Sequence, residues 1–233
     1  MIWEQLPDYD TLSARASDIL LSSIRANRHI VLGLPTGKTP TGMYARAVAD
    51  CTREYHCFRD VTTFNLDEYV GIPREHEGSY YTYMKRNLFD HVDIDPANTH
   101  IPNGAAEYPD AECRRYEQAI EDAGGIDLMF LGLGRNGHIA FNEPGTSFRS
   151  RTRVVQLSES TRAANAAYFP SGDVPGEAIT MGIATIMSSR RIVLLATGTG
   201  KESAIARLRS RDITVDFPAS ALWTHANVHV LVA

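Results

Sequence analysis

The stretch Leu131-Gly-Leu-Gly-Arg-Asn-Gly-His-Ile-Ala-Phe-Asn-Glu-Pro144 gathers residue types suited to proton chemistry on a small molecule. His138 can take and give a proton near neutral pH. Glu143 and Asn136 add a carboxylate and an amide close by in the chain. The glycines let the backbone turn sharply and lie close to a ligand. The apolar run Ile126-Asp-Leu-Met-Phe-Leu131 precedes them and reads as a buried strand. The polar cluster therefore sits at a strand's carboxyl end, where open α/β sheets bind ligands.

Three other segments carry candidate groups. Pro35-Thr-Gly-Lys-Thr-Pro40 joins a strand to a helix, and its backbone N–H groups and the helix N-terminus suit a phosphate, with Thr36, Thr39 and Lys38 as further donors. Phe64-Asn-Leu-Asp-Glu-Tyr69 leads a strand into two adjacent carboxylates, Asp67 and Glu68. Neighbours on a strand point to opposite faces, so at most one of them is expected to face a pocket. Thr197-Gly-Thr-Gly-Lys-Glu202 repeats the pattern of strand, glycine turn and helix, with Lys201 expected in the first helical turn. A cation there is disfavoured by the helix dipole unless an anion is bound, which makes Lys201 a phosphate candidate.

Two nucleotide motifs fail on inspection. Gly132-Leu-Gly-Arg-Asn-Gly137 satisfies the dinucleotide pattern, but Pro144 and Gly145 arrive too soon for a crossover helix. Gly33-Leu-Pro-Thr-Gly-Lys-Thr39 has one residue too few between its first glycine and the Gly-Lys pair for a P-loop. His56, His76, His91 and His225 show no metal-ligand spacing, and no metal site is expected.

Short apolar runs alternate with helical segments to position these groups. His29–Leu34, Val61–Leu66, Asp127–Leu131, Arg191–Ala196 and Asn227–Val232 read as strands. Helices are expected near 11–26, 40–51, 77–91, 107–123, 198–209 and 217–223, with Thr39 capping the second and Pro40 opening it. This rhythm predicts a three-layer α/β fold, a doubly wound and mainly parallel sheet of Rossmann-like type. Its length of 233 residues fits one domain over 1–233, with a possible mobile flap near 145–187, where periodicity is weak and Ser171–Gly176 is rich in breakers. A net charge of −5 argues against a broad nucleic-acid surface. No apolar run approaches membrane-spanning length and no leader is read at Met1-Ile-Trp-Glu. Cys51, Cys57 and Cys113 are expected as unpaired core residues in a reduced, cytoplasmic setting.

Taken together, Pro35–Pro40, Phe64-Asn-Leu-Asp-Glu-Tyr-Val-Gly71, Ser79-Tyr-Tyr81, Gly134–Pro144, Ser150-Arg-Thr-Arg153 and Thr180-Met-Gly-Ile-Ala-Thr185 resemble the glucosamine-6-phosphate deaminase family, nearly end to end and in order. The related 6-phosphogluconolactonases share the fold but usually carry Asp-Glu-Arg and a Gly-His-Thr-Ala-Ser type motif. The resemblance implies conversion of glucosamine 6-phosphate and water to fructose 6-phosphate and ammonia, without a cofactor. It implies Asp67 as the base at C2, His138 as the proton carrier in ring opening, and Glu143 as the carboxylate that orients His138. It further implies a phosphate site of Gly37, Lys38, Thr39 and Lys201.

Three departures from the family stand out. Asn136 replaces a frequent Asp, so the pKa of His138 is expected to lie lower. In Asn165-Ala-Ala-Tyr-Phe169, Ala167 stands where family members often carry an arginine for the phosphate, and Lys38 is expected to supply the missing charge. The chain ends at Ala233 and carries Val155 and Gln156 where allosteric members are polar and basic. Little activation by N-acetylglucosamine 6-phosphate and a monomer or small homo-oligomer are therefore expected. Its partner is a small sugar phosphate, not nucleic acid or membrane. The competing functions are a related sugar-phosphate lactonase or isomerase, separated by ammonia release, and a non-catalytic sugar-phosphate sensor, against which the joint presence of Asp67, His138 and Glu143 argues.

Overall fold

The computed structural model describes residues 1–52, 57–169 and 172–233. Its helices are α1 (Tyr9–Ala26), α2 (Thr41–Cys51), α3 (Tyr80–Asn87), α4 (Pro109–Asp122), α5 (Glu159–Asn165), α6 (Ile183–Met187) and α7 (Glu202–Arg209). Its strands are β1 (Ile2–Gln5), β2 (Val31–Leu34), β3 (Thr62–Asn65), β4 (Asp67–Tyr69), β5 (Thr99–His100), β6 (Leu128–Gly132), β7 (Arg153–Gln156), β8 (Glu177–Thr180), β9 (Arg191–Ala196) and β10 (Val228–Val232).

Seven strands form one parallel sheet in the order β1-β10-β9-β6-β2-β3-β5. The apolar runs segregate by alternation. Leu32, Leu34, Leu128, Phe130, Val193, Leu195 and Leu231 pack into one core with α1 and α2. Val31, Met129, Leu131, Ile192, Leu194, Val228 and Val230 pack into a second core with α4 and α7. A sheet apolar on both faces must be covered on both, and this makes three layers. Gly33 serves this packing, because a Cβ there would lie 2.3 Å from Met129 Sδ in the adjacent strand.

β4, β8 and β7 form a separate antiparallel sheet of three strands. It occupies much of the region where the sequence suggests a flap. That region also holds α5 and α6, which the sequence pattern does not reveal. Ser171, at the start of the breaker-rich segment, and His56 lie outside the described residues.

Several local expectations are corrected. The segment near 217–223 is a 3₁₀ helix, Pro218–Thr224, and the end of the segment near 77–91 is another, Phe89–His91. Thr39 does not cap α2. Pro40 occupies the cap position with no side-chain bond, and the Tyr9 hydroxyl accepts from Gly42 N–H at 2.8 Å instead. A tyrosine from α1 thus satisfies one of the orphan donors of α2. Cys51 and Cys57 are not separate thiols: they are bonded to each other, with Cα atoms 5.6 Å apart, a span that a disulfide bridges. Their spacing in the chain gives no hint of that approach. Cys113 is free and buried.

Candidate active site

The carboxyl ends of β2, β6 and β9, together with β4, open into a cavity of about 740 Å³. Gly37, Lys38, Thr39, Asp67, Asn136, His138, Glu143 and Lys201 all line it, so of the residues expected to act or to bind phosphate only Glu68, the alternative to Asp67, lies outside the cavity wall.

The turn after β6 is built around His138. Gly134 N–H donates to His138 O at 2.9 Å and Gly137 N–H to Gly134 O at 3.0 Å. Gly137 has φ +86°, in the left-handed region. The imidazole lies against Gly134 so closely that a Cβ there would be 2.4 Å from ring atoms. Glycine at 134 is what lets the ring occupy this place.

Three side chains fix the imidazole's tautomer. The Asn136 amide nitrogen donates to Glu143 Oε2 at 2.5 Å, which turns the amide oxygen toward His138. His138 Nδ1 lies 2.8 Å from that oxygen and therefore carries the proton it donates. Nε2, with no partner among the described residues, is left as the unprotonated nitrogen of the neutral ring. Glu143 Oε1 sits 3.7 Å from Nδ1 and accepts from the Thr161 hydroxyl at 2.8 Å. Burial, ahead of the opposing pull of Glu143 and the repulsion of Lys201, holds the His138 pKa below its ordinary value. The shift has the direction expected from the sequence, but its leading cause is desolvation rather than the amide at 136.

Asp67 and Glu68 face opposite ways along β4, as strand geometry requires. Asp67 lines the cavity, is 6% exposed, and its carboxyl has no hydrogen-bond donor among the described residues. Burial, and secondarily the neighbouring Glu68, raise its pKa to about 8. Glu68 turns to α3. Its Oε1 accepts from the backbone N–H of Tyr69 at 2.9 Å and of Tyr80 at 3.0 Å, and its Oε2 from Tyr81 N–H at 3.0 Å. Burial still outweighs those bonds and lifts Glu68 to about 7.

Helix α3 links this strand to the turn after β2. Ser79 caps it, accepting from Thr82 N–H at 3.0 Å. One turn along, the Tyr83 hydroxyl donates to Gly37 O at 2.6 Å, and Gly37 has φ +92°. The Tyr9 hydroxyl lies 3.1 Å and 3.2 Å from Lys38 O and Thr39 O, within donating distance of both. The carbonyls of Gly37, Lys38 and Thr39 thus point to tyrosines. Lys201 stands one residue ahead of α7, at the cap position rather than within the first turn.

The remaining motif residues support the site from outside. Asn142, fully buried, donates to Ile139 O at 2.9 Å and Met181 O at 2.8 Å, and accepts from Arg153 Nη1 at 2.9 Å. Ser150 Oγ accepts from Ile183 N–H at 3.0 Å, and Thr185 donates to Glu117 at 2.6 Å.

Sequence reasoning gave no role to four polar residues of the cavity wall: Arg135, Tyr80, Thr161 and Asn165. Arg135 and Tyr80 lay inside quoted motifs without a part assigned to them. Thr161 carries no signal in the sequence, because its role depends on α5 reaching Glu143 from a distant part of the chain. Ala167, where the missing arginine was noted, is exposed in a 3₁₀ turn after α5.

The profile of a family described as glucosamine-6-phosphate isomerases/6-phosphogluconolactonase matches residues 9–231. The chain is 53% identical over 225 residues to a glucosamine-6-phosphate deaminase of Geobacillus sp. (strain WCH70), covering 96% of this chain and 90% of that one. It is 50% identical over 225 residues to glucosamine-6-phosphate deaminase 1 of Bacillus subtilis (strain 168), covering 96% and 93%. Among solved structures, one described as a monomeric glucosamine-6-phosphate deaminase superposes with a TM-score of 0.97 at 48% identity, covering 100% of this chain and 97% of that one. A 6-phosphogluconolactonase from Thermotoga maritima superposes with a TM-score of 0.77 at 18% identity, covering 99% and 98%, a likeness of fold alone.

Proposed function

Because this chain belongs to the glucosamine-6-phosphate isomerase/6-phosphogluconolactonase family, we propose that it converts glucosamine 6-phosphate and water to fructose 6-phosphate and ammonia. One observation carries this conclusion: an unpaired buried carboxylate and an imidazole with a free ring nitrogen face a single cavity rimmed by cations.

His138 Nε2 accepts the proton of the sugar's O1 hydroxyl and delivers one to the ring oxygen, which opens the ring to the aldehyde. Asn136 keeps the required tautomer and Glu143 stabilises the transient imidazolium. Asp67 then removes the proton at C2. In the empty site that carboxyl holds a proton up to about pH 8. The substrate's C2 ammonium, brought beside it, favours the carboxylate and so switches the base on as the substrate binds. The electrons move into the C1 carbonyl, whose oxygen takes a proton from the C2 ammonium, giving an amino enol. Asp67 returns its proton to C1 and leaves an iminium at C2; water adds there, and as the ketone forms the nitrogen leaves as ammonium, the protonated form of ammonia. One base suffices because C1 and C2 are adjacent. The turn of Gly37, Lys38 and Thr39, with Lys201, holds the phosphate, so binding energy from the far end of the sugar serves the barrier at C2.

The family resemblance and a neighbour described as monomeric support a monomer or small homo-oligomer, which sedimentation analysis tests. A cytoplasmic setting belongs to the same proposal, and a thiol count on protein isolated without reductant tests it against the Cys51–Cys57 pair.

A coupled ammonia assay with glucosamine 6-phosphate, run beside Asp67→Asn, tests the reaction. Ammonia from the wild type and none from the variant is expected. A wild type that releases no ammonia, or a variant that matches it, overturns the proposal.

A further inference from the structure

Two cations, Arg135 and Lys201, line the cavity with no ion-pair partner among the described residues. The Arg135 guanidinium lies over the Gly200 backbone, where a Cβ would be 3.2 Å from its Nε and 3.4 Å from its Cζ. That places it beside Lys201, the next residue. Among the described residues Arg135 has one hydrogen bond, a long 3.5 Å contact from Nη2 to Thr199 O, and neither cation has an ion-pair partner. Burial, and then repulsion from Arg135, lower the Lys201 pKa. Two neighbouring like charges, one of them largely withdrawn from water, cost free energy that a bound dianion would offset.

We propose that Arg135, paired with Lys201, grips the substrate's phosphate and supplies the charge that the chain lacks at Ala167. Lys38 was the sequence's candidate for that role, but it stands on the turn after β2, whereas Arg135 lies against Gly200 and so adjoins the other cation. A phosphate monoester carries about −1.5 to −2 at neutral pH, enough for two cations. The planar guanidinium binds two of its oxygens at once, which an ammonium cannot.

Position in the chain gives the grip a second effect. Arg135 precedes Asn136 and lies inside the turn closed by the Gly134–His138 bond. A phosphate held by Arg135 therefore also immobilises the turn that carries the imidazole. This inference rests on the sugar-phosphate reaction proposed above, and its test separates the two.

Arg135→Gln is expected to raise KM for glucosamine 6-phosphate at least tenfold and to lower kcat severalfold, because the turn that carries the imidazole is no longer held through the phosphate. Arg135→Lys falls between, and Lys38→Ser shifts KM by less than Arg135→Gln. Calorimetric binding of inorganic phosphate, which needs no turnover, is expected to weaken at least tenfold in Arg135→Gln. A KM and phosphate affinity within twofold of wild type overturn the grip while the deaminase reaction stands. A larger effect of Lys38→Ser on KM also overturns it. A wild type that binds phosphate tightly but makes no ammonia overturns the reaction instead, and the binding data then judge Arg135 alone.

Discussion

Replacing Asp67 with asparagine should stop ammonia release and make the protein more stable, with a gain that grows with pH. Asp67 titrates near 8 in the folded chain because it is buried and lies beside Glu68. In the unfolded chain an aspartate titrates near ~3.9. Between these values the folded protein holds a proton that the unfolded chain releases. A raised folded pKa contributes stability that is complete below the unfolded value and is lost as pH climbs toward the folded one. Each unit of pH in that window costs about 1.4 kcal/mol, so roughly three units to pH 7 cost about 4 kcal/mol. Asparagine keeps the shape and sheds the cost. For a chain of this size about 1 kcal/mol moves Tm by roughly 2–4 °C, which gives a gain of roughly 10 °C at pH 7 and roughly 3 °C at pH 5. Differential scanning calorimetry of both proteins from pH 5 to 8 measures the difference directly. A gain that does not vary with pH, or a variant less stable at pH 7, would refute the argument that the carboxyl is held under electrostatic strain.

Asn136→Asp puts a carboxyl where an amide oxygen now stands 2.8 Å from His138 Nδ1, and its charge should raise the imidazole pKa by about one unit. An NMR titration of the His138 ring reads this, and an unmoved resonance would show that the two groups are not coupled. Thr161→Val deletes the hydroxyl that donates to Glu143 Oε1, a bond of about 1 kcal/mol, so kcat/KM should fall roughly fivefold. Unchanged kinetics would mean that α5 does not act on the imidazole through Glu143.

Most strands that position the site were legible because they are apolar on both faces; β3, Thr62-Thr-Phe-Asn65, was read from its β-branched and aromatic residues instead. β2, β3, β9 and β10 lie within the runs read from the sequence and β6 overruns its run by one residue, Gly132; all five are in the interior of the sheet or next to its edge. β1 and β5 are the edges, short and half-exposed, and carry no such run. The small sheet of β4, β8 and β7 escaped for a related reason: β4 has only three residues, and β7 remains partly open to solvent. The site was more legible than its supports. Glycines, a histidine and carboxylates at strand ends announce themselves by type, whereas the Tyr9 hydroxyl on α2, the Thr161 bond to Glu143 and the Cys51–Cys57 pair depend on approaches between elements that no local pattern encodes. Glu68 belongs to both groups. Alternation along the strand foretold that it would turn away from Asp67, but not that it would seat the N-terminus of α3.

Helix α3 is bonded to β4 at one end, through Glu68, and to the Gly37 turn further along, through Tyr83. Under the proposed reaction it works as a gauge block, fixing the gap between the carboxyl assigned to C2 and the turn assigned to the terminal ester. Sugars would then be sorted by length: a pentose analogue, one carbon shorter, is expected to reach one stop or the other but not both, and to forfeit turnover even where its amine and ester are chemically the same.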